Sequence, residues 1–340
     1  MSKKKIKIKI VDFYNNYVFE NNFIYKLLHE EFDIEISENP DYLFYSAFGS
    51  EHLRYNNCIK IFYTGENLSP DFNLCDYAIG YDHMIFGDRY LRFPCYYNYE
   101  FEKSVEEMLK KHLMSESEIR SQKTEFCSFV YSNSLADSFR EDFFELLSSY
   151  KKINSGGRFK NNLETEEFRP VADKLAFERK HKFSIAFENS SHDGYTTEKL
   201  VQAFAANTVP IYWGDPNVGE VFNKKAFIDC HDFKSTDDII EYIKKIDEDE
   251  NLYQNMINEP AVLNLQKAEF NYNLSLMKDF LMNIINKPID KAARRATGMW
   301  PQRYFDQYYY WKDAYDRPVI RCLRKVKYFS KDWMKKIWKK

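Results

Sequence analysis

Glycine and proline are both rare in this chain of 340 residues, with ten of each. So low a content of the two residues excludes a collagen-like protein and a flexible low-complexity chain. A chain of this length can bury two hydrophobic cores of ordinary size. The sequence therefore predicts a folded protein of about two domains.

Cysteines are few and scattered, and no two of them form a C-x-x-C pair. This spacing argues against a structural zinc site and against a disulfide framework, and the seven histidines add no ligand spacing on a shared helix face. Reduced thiols are typical of the cytoplasm, where we expect this protein to be located. The six cysteines are Cys58, Cys75, Cys95, Cys127, Cys230 and Cys322.

Long apolar runs are also missing. No stretch approaches the ~20 apolar residues of a membrane-spanning helix. Lysine alternates with isoleucine near the N-terminus, which is not the pattern of a secretory signal. The net charge of −3 gives no indication of a nucleic-acid partner.

The C-terminal stretch 320–340 differs in charge from the rest of the chain. It holds nine Lys or Arg residues and a single acid, Asp332, with Trp333 and Trp338 at positions that could share one helix face. A basic amphipathic helix of this kind suits an anionic membrane surface, and the protein would then be peripheral on the cytoplasmic membrane face. The alternative is a C-terminal helix that packs on the fold and leaves its basic face in solvent.

Apolar runs alternate with helical periodicity along most of the chain. Strands are predicted at 6–10, 32–36, 42–45, 59–63, 77–80, 126–131, 183–187, 209–213 and 226–229, and helices at 22–31, 139–150 and 237–249. This alternation is typical of α/β folds with parallel sheets. We expect two Rossmann-like domains facing a cleft, with limits at 1–120 and 121–290, followed by a helical tail at 291–340.

The segment 183–214 has the strand, loop, helix and strand of a βαβ unit. Ligands bind beyond the carboxyl ends of such strands, near the first turn of the helix. Glu188, Asn189, Tyr195, Glu198 and Lys199 lie at that edge. A helix N-terminus with Lys199 suits a phosphate, and a carboxylate can accept hydrogen bonds from a diol. Together these features favour a nucleotide sugar.

These motifs resemble the α-1,3-fucosyltransferase family, in its bacterial branch. The likeness lies in FENS at 187–190, Tyr195 with TEK at 197–199, and VPIYWG at 209–214. It extends to TGEN at 64–67 and SGGR at 155–158. The resemblance implies a metal-independent, inverting transferase of GT-B architecture. Its donor would be GDP-fucose, bound mainly by the C-terminal domain. Its acceptor would be an N-acetyllactosamine-type glycan, held mainly by the N-terminal domain.

Two carboxylates compete for the role of general base in this chemistry. The resemblance favours Glu66, which follows an apolar strand, and burial there would make it a stronger base. Glu188 also ends a strand, and it is either the rival base or a residue that orients the loop. An exposed surface carboxylate is the alternative for Glu66.

The leaving diphosphate needs fixed positive charge, which Lys199 and Arg140 would supply. Glu198 would bind the ribose hydroxyls, and Tyr195 would contact the nucleotide or pack in the loop. Asn189 is more suited to fixing the loop than to touching ligand. Arg158 either reaches phosphate from its turn or stays in solvent.

No metal is expected as a cofactor, because the only D-x-D sequence, at 247–249, falls in an acidic helical run predicted to be a solvated face. The acceptor and the linkage (α-1,3 or α-1,4) stay open. Two other hypotheses remain: another nucleotide-sugar transferase of GT-B type, and a non-catalytic glycan-binding relative.

Overall fold

The structure is a computed structural model that describes residues 3–163 and 171–320. Of the basic stretch 320–340, only residue 320 is among the described residues. Two parallel sheets form the frame. The first contains β1 (Lys4–Val11), β2 (Phe32–Ile36), β3 (Tyr42–Tyr45), β4 (Ile59–Tyr63), β5 (Tyr77–Gly80) and β6 (Tyr90–Arg92). The second contains β7 (Glu125–Phe129), β8 (Ile153–Ser155), β9 (His181–Phe187), β10 (Val209–Trp213) and β11 (Ile228–Asp229).

Helices connect the strands of each sheet and continue beyond the last strand. They are α1 (Phe23–Glu31), α2 (Glu102–Leu109), α3 (Glu116–Gln122), α4 (Ser138–Tyr150), α5 (Lys174–Glu178), α6 (Glu198–Ala205), α7 (Thr236–Glu248), α8 (Glu250–Asn258), α9 (Leu265–Ala268), α10 (Phe270–Ile285), α11 (Ile289–Ala292) and α12 (Met299–Asp316). Within the described residues, no helix combines the length and apolarity needed to cross a bilayer.

The expectation of two Rossmann-like domains is confirmed, and most predicted strands have the predicted limits. β6 and β8 were not predicted, because three residues are too few to show a periodicity. β11 is shorter than predicted at its start, because Ala226 still belongs to a turn in which its N–H donates to the Asn223 carbonyl. The helix predicted at 139–150 starts at Ser138, where the Asp137 carboxylate caps the first turn.

Strand order places a topological switch point in each sheet. The first sheet has the order β2-β1-β3-β4-β5-β6, so the chain leaves in opposite directions from β1 and β3. The second has the order β11-β10-β9-β7-β8, with the switch between β7 and β9. Loops diverge at such a point and leave a crevice outside the strand ends, where ligands bind in open parallel sheets.

The two domains share a continuous apolar contact. Helix α2 packs against α6, and Val105 and Met108 join Leu200, Val201 and Phe204 in one buried cluster. Helix α10, which the predicted limits placed with the second domain, packs instead on the core of the first sheet. There the carbonyl of its last residue, Ile285, accepts hydrogen bonds from Lys4 and Tyr42.

A buried aspartate anchors the segment between α11 and α12 to the first sheet. Asp76 is fully buried, and its carboxylate accepts backbone N–H bonds from Lys60, Arg294 and Arg295 at 2.8 to 2.9 Å. The Arg295 Nε lies 2.9 Å from the same carboxylate. One side chain thus joins strand β4 to a segment more than 200 residues away.

We expect Asp76→Ala to lower the free energy of unfolding by about 3 kcal/mol, because buried donors lose their acceptor and Arg295 loses its counter-charge. Urea denaturation followed by fluorescence measures the change. The matched control is Asp33→Ala, at an exposed position, which should stay within about 0.5 kcal/mol of the unchanged chain. Equal effects of the two substitutions would contradict this account of the anchor.

Candidate active site

The corner between β9 and α6 is built around one carboxylate. Glu188 follows the last residue of β9 and is completely buried. The Thr197 N–H and hydroxyl donate to its two carboxylate oxygens, each at 2.7 Å. Because Thr197 is also the residue before the first turn of α6, this carboxylate fixes where the helix begins.

Lys199 completes this buried group. Its Nζ lies 3.0 Å from Glu188 Oε2, 2.9 Å from the Thr197 hydroxyl and 3.5 Å from Glu198 Oε1. Burial alone would lower the pKa of Lys199, but the Glu188 and Glu198 carboxylates outweigh it and hold that pKa well above the ordinary value. The ammonium therefore stays charged at neutral pH.

Steric crowding explains why the motif VPIYWG ends in a glycine, Gly214. A Cβ at Gly214 would lie 2.5 Å from Glu188 Cγ and 2.7 Å from the Tyr212 hydroxyl. Any larger residue would push the Glu188 side chain away from Thr197. The glycine is therefore needed for the carboxylate to occupy its place.

Arg140 lies behind the same corner, at the switch point of the second sheet. The residue is 2% exposed, and its guanidinium lies 4.3 Å from the centre of the Tyr131 ring and donates to Asn189 Oδ1 at 3.1 Å and to the Asn133 carbonyl at 2.7 Å. Asn189 also accepts the Asp137 N–H through its backbone carbonyl, so it joins the loop to the start of α4. Burial lowers the pKa of Arg140, but that of an arginine starts so high that the charge is kept.

The two remaining donor-site candidates differ in exposure. The Tyr195 ring is buried and packs edge-on against Tyr81 at 5.0 Å between ring centres. Arg158 is exposed in the turn after β8, and among the described residues its side chain has no hydrogen bond or ion pair. Tyr195 thus shapes the loop, while Arg158 remains available to a ligand.

Glu66 lies apart from this buried group, on the wall of a cleft of 460 Å³. The expectation that it is buried is wrong: β4 ends at Tyr63, and Gly65 and Glu66 in the following loop are exposed. Glu198 lines the same cleft, whereas Glu188 does not. The cleft thus brings Glu66 to the same space as the start of α6.

Sequence reasoning missed the residues that join the two sides of the site. Asn67 Nδ2 donates to the Ser190 hydroxyl at 2.6 Å, and Asn67 Oδ1 accepts from the Tyr81 hydroxyl at 2.7 Å. Asn67 belongs to TGEN and Ser190 to FENS, so these two motifs meet across the domains. Both motifs resemble the same family, and this shared resemblance could have indicated that they lie in one site.

One group among the described residues has the geometry of a possible metal site. Donor atoms of His83, Asp193 and Asp215 all lie within 4.8 Å of one another. The Arg92 guanidinium is 3.5 Å from His83 Nε2, and Asp215 already accepts the Gly194 N–H at 2.8 Å. A cation there would meet a fixed positive charge, so the group fits an ion-pair network better.

The prediction that the acidic run at 247–249 is a solvated face is right for Glu248 and Asp249, which are exposed, and wrong for Asp247. The Asp247 side chain is 4% exposed and forms ion pairs with Lys182 at 2.6 Å and Lys151 at 3.0 Å. These lysines extend from β9 and from the end of α4, so Asp247 holds α7 against the second sheet. The period of an acidic helix could not reveal that one of its residues faces inward.

Comparison with known proteins assigns the chain to a family. The alpha-(1,3)-fucosyltransferase FucT N-terminal domain matches residues 8–99, and the glycosyltransferase family 10 (fucosyltransferase) C-terminal domain matches residues 120–273. The chain belongs to this fucosyltransferase family. An alpha-(1,3)-fucosyltransferase FucT of Helicobacter pylori is 37% identical over 294 residues, which cover 76% of this chain and 60% of the relative. This chain thus spans about three fifths of that relative's length.

A solved structure and a human relative extend the comparison. A crystal structure of an alpha1,3-fucosyltransferase with GDP-fucose has a TM-score of 0.65 and 31% identity, and the match covers 83% of this chain and 91% of the other. A human 4-galactosyl-N-acetylglucosaminide 3-alpha-L-fucosyltransferase is 33% identical over 136 residues, covering 39% of this chain and 35% of the relative. The fucosyltransferase likeness thus covers both domains.

Glu188→Ala should lower the free energy of unfolding by about 3 kcal/mol, because Lys199 and Thr197 lose a buried acceptor. Thermal or urea denaturation measures the loss. Glu241→Ala, on the exposed face of α7, serves as the control and should change stability by less than about 0.5 kcal/mol. If Glu188→Ala proved as harmless as the control, the corner would not depend on this carboxylate.

Proposed function

We propose that this protein transfers L-fucose from GDP-fucose to a hydroxyl of GlcNAc, or of Glc, in a Gal-GlcNAc-type glycan, with inversion at the anomeric carbon. The products would be Lewis-type structures. The observation that carries the proposal is a fixed ammonium, Lys199, next to Glu198 in the lining of a cleft that also holds Glu66, a carboxylate with no ion pair among the described residues. The names of the relatives supply the donor and the acceptor class.

Glu66 is the proposed general base. Its exposure lets an acceptor hydroxyl approach, and among the described residues its carboxylate has no ion pair. Glu188 is less suited, because it is buried and three donors already point at it. This contrast supports Glu66 as the base and gives Glu188 a positioning role.

The diphosphate would be stabilised by fixed cations without a divalent ion. Lys199 acts as a point charge at the first turn of α6, where the helix N–H groups also face an anion. Arg140 has five N–H groups, of which two bond to other described residues, and the others would be offered to a phosphate oxygen. Arg158 would contact the nucleotide from its exposed turn, whereas the buried Tyr195 ring would shape the loop beside it.

Glu198 is proposed to hold the ribose hydroxyls. Burial opposes its charged form, but Lys199 and Lys174 outweigh that effect and lower the pKa of Glu198. A carboxylate that stays ionised can accept both hydrogen bonds of a vicinal diol. Its side chain is 26% exposed toward the cleft, which leaves room for the sugar.

In the proposed step the acceptor oxygen attacks the anomeric carbon while its proton moves to Glu66. The bond between that carbon and the phosphate oxygen breaks, and its electron pair leaves with GDP. Lys199 meets the charge that develops on the leaving oxygen, which is where a preorganised cation lowers the barrier most. Base and cation on opposite sides of the sugar give inversion.

Glu66→Gln should reduce turnover by about 10² to 10⁴-fold, because the amide cannot take the proton. GDP release in the presence of GDP-fucose and N-acetyllactosamine measures turnover, and calorimetry with GDP should give an unchanged affinity. Glu51→Gln, an exposed neighbour in the same domain, is the control that should keep full activity. Normal turnover by the Glu66 variant would exclude it as the base.

Lys199→Met should weaken GDP binding by about ten- to a hundred-fold, the value of a lost charge-assisted hydrogen bond. Lys267→Met on α9 is the matched control, since Lys267 is exposed.

Excess EDTA should leave the activity unchanged. A strict requirement for Mn²⁺, or a preference for UDP-sugars in a donor panel, would favour another nucleotide-sugar transferase.

A further inference from the structure

The cleft that holds Glu66 lies at the switch point of the first sheet. Strand β1 ends at Val11, which pairs with Tyr45 at the end of β3, and the two following loops diverge. Phe13, Tyr14 and Tyr17 come from the loop after β1, and Phe48 comes from the loop after β3. A crevice formed in this way is where an open parallel sheet binds a ligand.

Four rings form a continuous surface here, which we call the aromatic wall: Phe13, Tyr14, Tyr17 and Phe48. Phe13 stacks on Tyr17 at 4.2 Å, Tyr17 meets Tyr14 at 5.1 Å, and Tyr14 meets Phe48 at 6.2 Å between ring centres. Tyr14 and Phe48 are 56% and 52% exposed. Rings left this open beside a cleft offer apolar faces to a ligand.

The aromatic wall is held in place by a buried aspartate under strain. Asp12 has a positive φ of 61°, a conformation that costs energy for a residue with a side chain. Its carboxylate accepts the Glu51 and His52 N–H groups and bonds His52 Nδ1 at 2.6 Å. Gly49 is needed beside it, because a Cβ there would lie 2.2 Å from Asp12 Oδ1. These contacts fix the two loops and therefore the rings they carry.

The charged side chains that line the cleft are all acidic among the described residues. Glu66, Glu100 and Glu198 line it, and among the described lining residues there is no lysine, arginine or histidine. Lys199 offsets Glu198 from behind, and Lys26 lies on the Tyr99 ring, 4.7 Å from its centre. Partial burial, followed by the charge of Glu198, raises the pKa of Glu100. Since the described lining residues include no cation, the ionised carboxylates of Glu66 and Glu100 still give this part of the cleft a negative potential.

We propose that the aromatic wall and these carboxylates select uncharged saccharide acceptors: a pyranose ring stacks on the exposed Tyr14 ring beside Phe48, while Glu100 repels acceptors that carry an acidic sugar. This inference rests on the proposed function and adds the class of its acceptor. Stacking suits sugars because one face of a pyranose is a row of C–H groups. Like charges juxtaposed in a binding site reduce the affinity for the wrong partner.

The charge part is tested by comparing kcat/KM for N-acetyllactosamine and for its sialylated form. At about 0.01 M ionic strength the neutral acceptor should be favoured by about ten-fold or more, and the ratio should shrink at about 1 M, where charges are screened. Glu100→Gln should reduce the ratio about three-fold or more at low salt. The control Glu241→Gln, exposed on α7 of the other domain and outside the cleft lining, should keep the ratio. Equal use of both acceptors, or a ratio that Glu100→Gln leaves unchanged, would overturn the proposal.

The stacking part is tested with Tyr14→Ala and Tyr14→Phe. Alanine should lower kcat/KM about ten-fold for both acceptors without changing GDP affinity, and phenylalanine should restore most of it. An unaffected alanine variant would overturn the stacking contact. If no acceptor is fucosylated at all, the proposed function fails, but saturation-transfer NMR can still measure glycan binding. If the original chain binds the neutral glycan and Tyr14→Ala does not, the binding site is supported without the proposed activity. If the original chain binds no glycan, the binding site is refuted.

Discussion

The buried contact between Glu188 and Lys199 is the constraint on which the rest of the site depends. Removing two opposite charges from water is costly, and such a pair seldom adds stability over apolar residues of similar size. It can instead define one arrangement, because each partner is unfavourable without the other. Here the arrangement is the junction of β9 and α6, since the same carboxylate binds Thr197 at the start of the helix. The pair therefore presents the ammonium at a helix N-terminus in a defined position.

The second requirement is that the cleft has fixed walls. Helix α2 packs on α6, α10 returns to the first sheet, and Asn67 bonds Ser190 between the two motif loops. The proposed acceptor side and the proposed donor side are thereby connected through both apolar packing and hydrogen bonds. In-line group transfer needs such a connection, because a displacement of the base relative to the leaving group by about 1 Å can cost a large factor in rate.

Much of the fold could be predicted from the sequence, because parallel strands buried on both faces are short apolar runs with clear ends. The βαβ unit and the order of Glu188, Glu198 and Lys199 along it were therefore visible. The burial of Glu188 and its contact with Lys199 were not, since they depend on how α6 packs against β9. Burial also depends on tertiary packing at two other positions, where Glu66 was wrongly expected to be buried and Asp247 was wrongly expected to lie in solvent. The 18% aromatic content could not reveal which rings would stay exposed beside the cleft.

The central claim is that fixed cationic side chains, with Lys199 foremost, neutralise the diphosphate of a guanosine donor at the start of α6. A crystal structure of this protein grown with GDP in buffer containing Mn²⁺ tests it most directly. The account predicts phosphate oxygens within hydrogen-bonding distance of Lys199 Nζ, the ribose beside Glu198, and no metal ion between protein and phosphate. A nucleotide lodged elsewhere, or held to the protein through manganese, would contradict it.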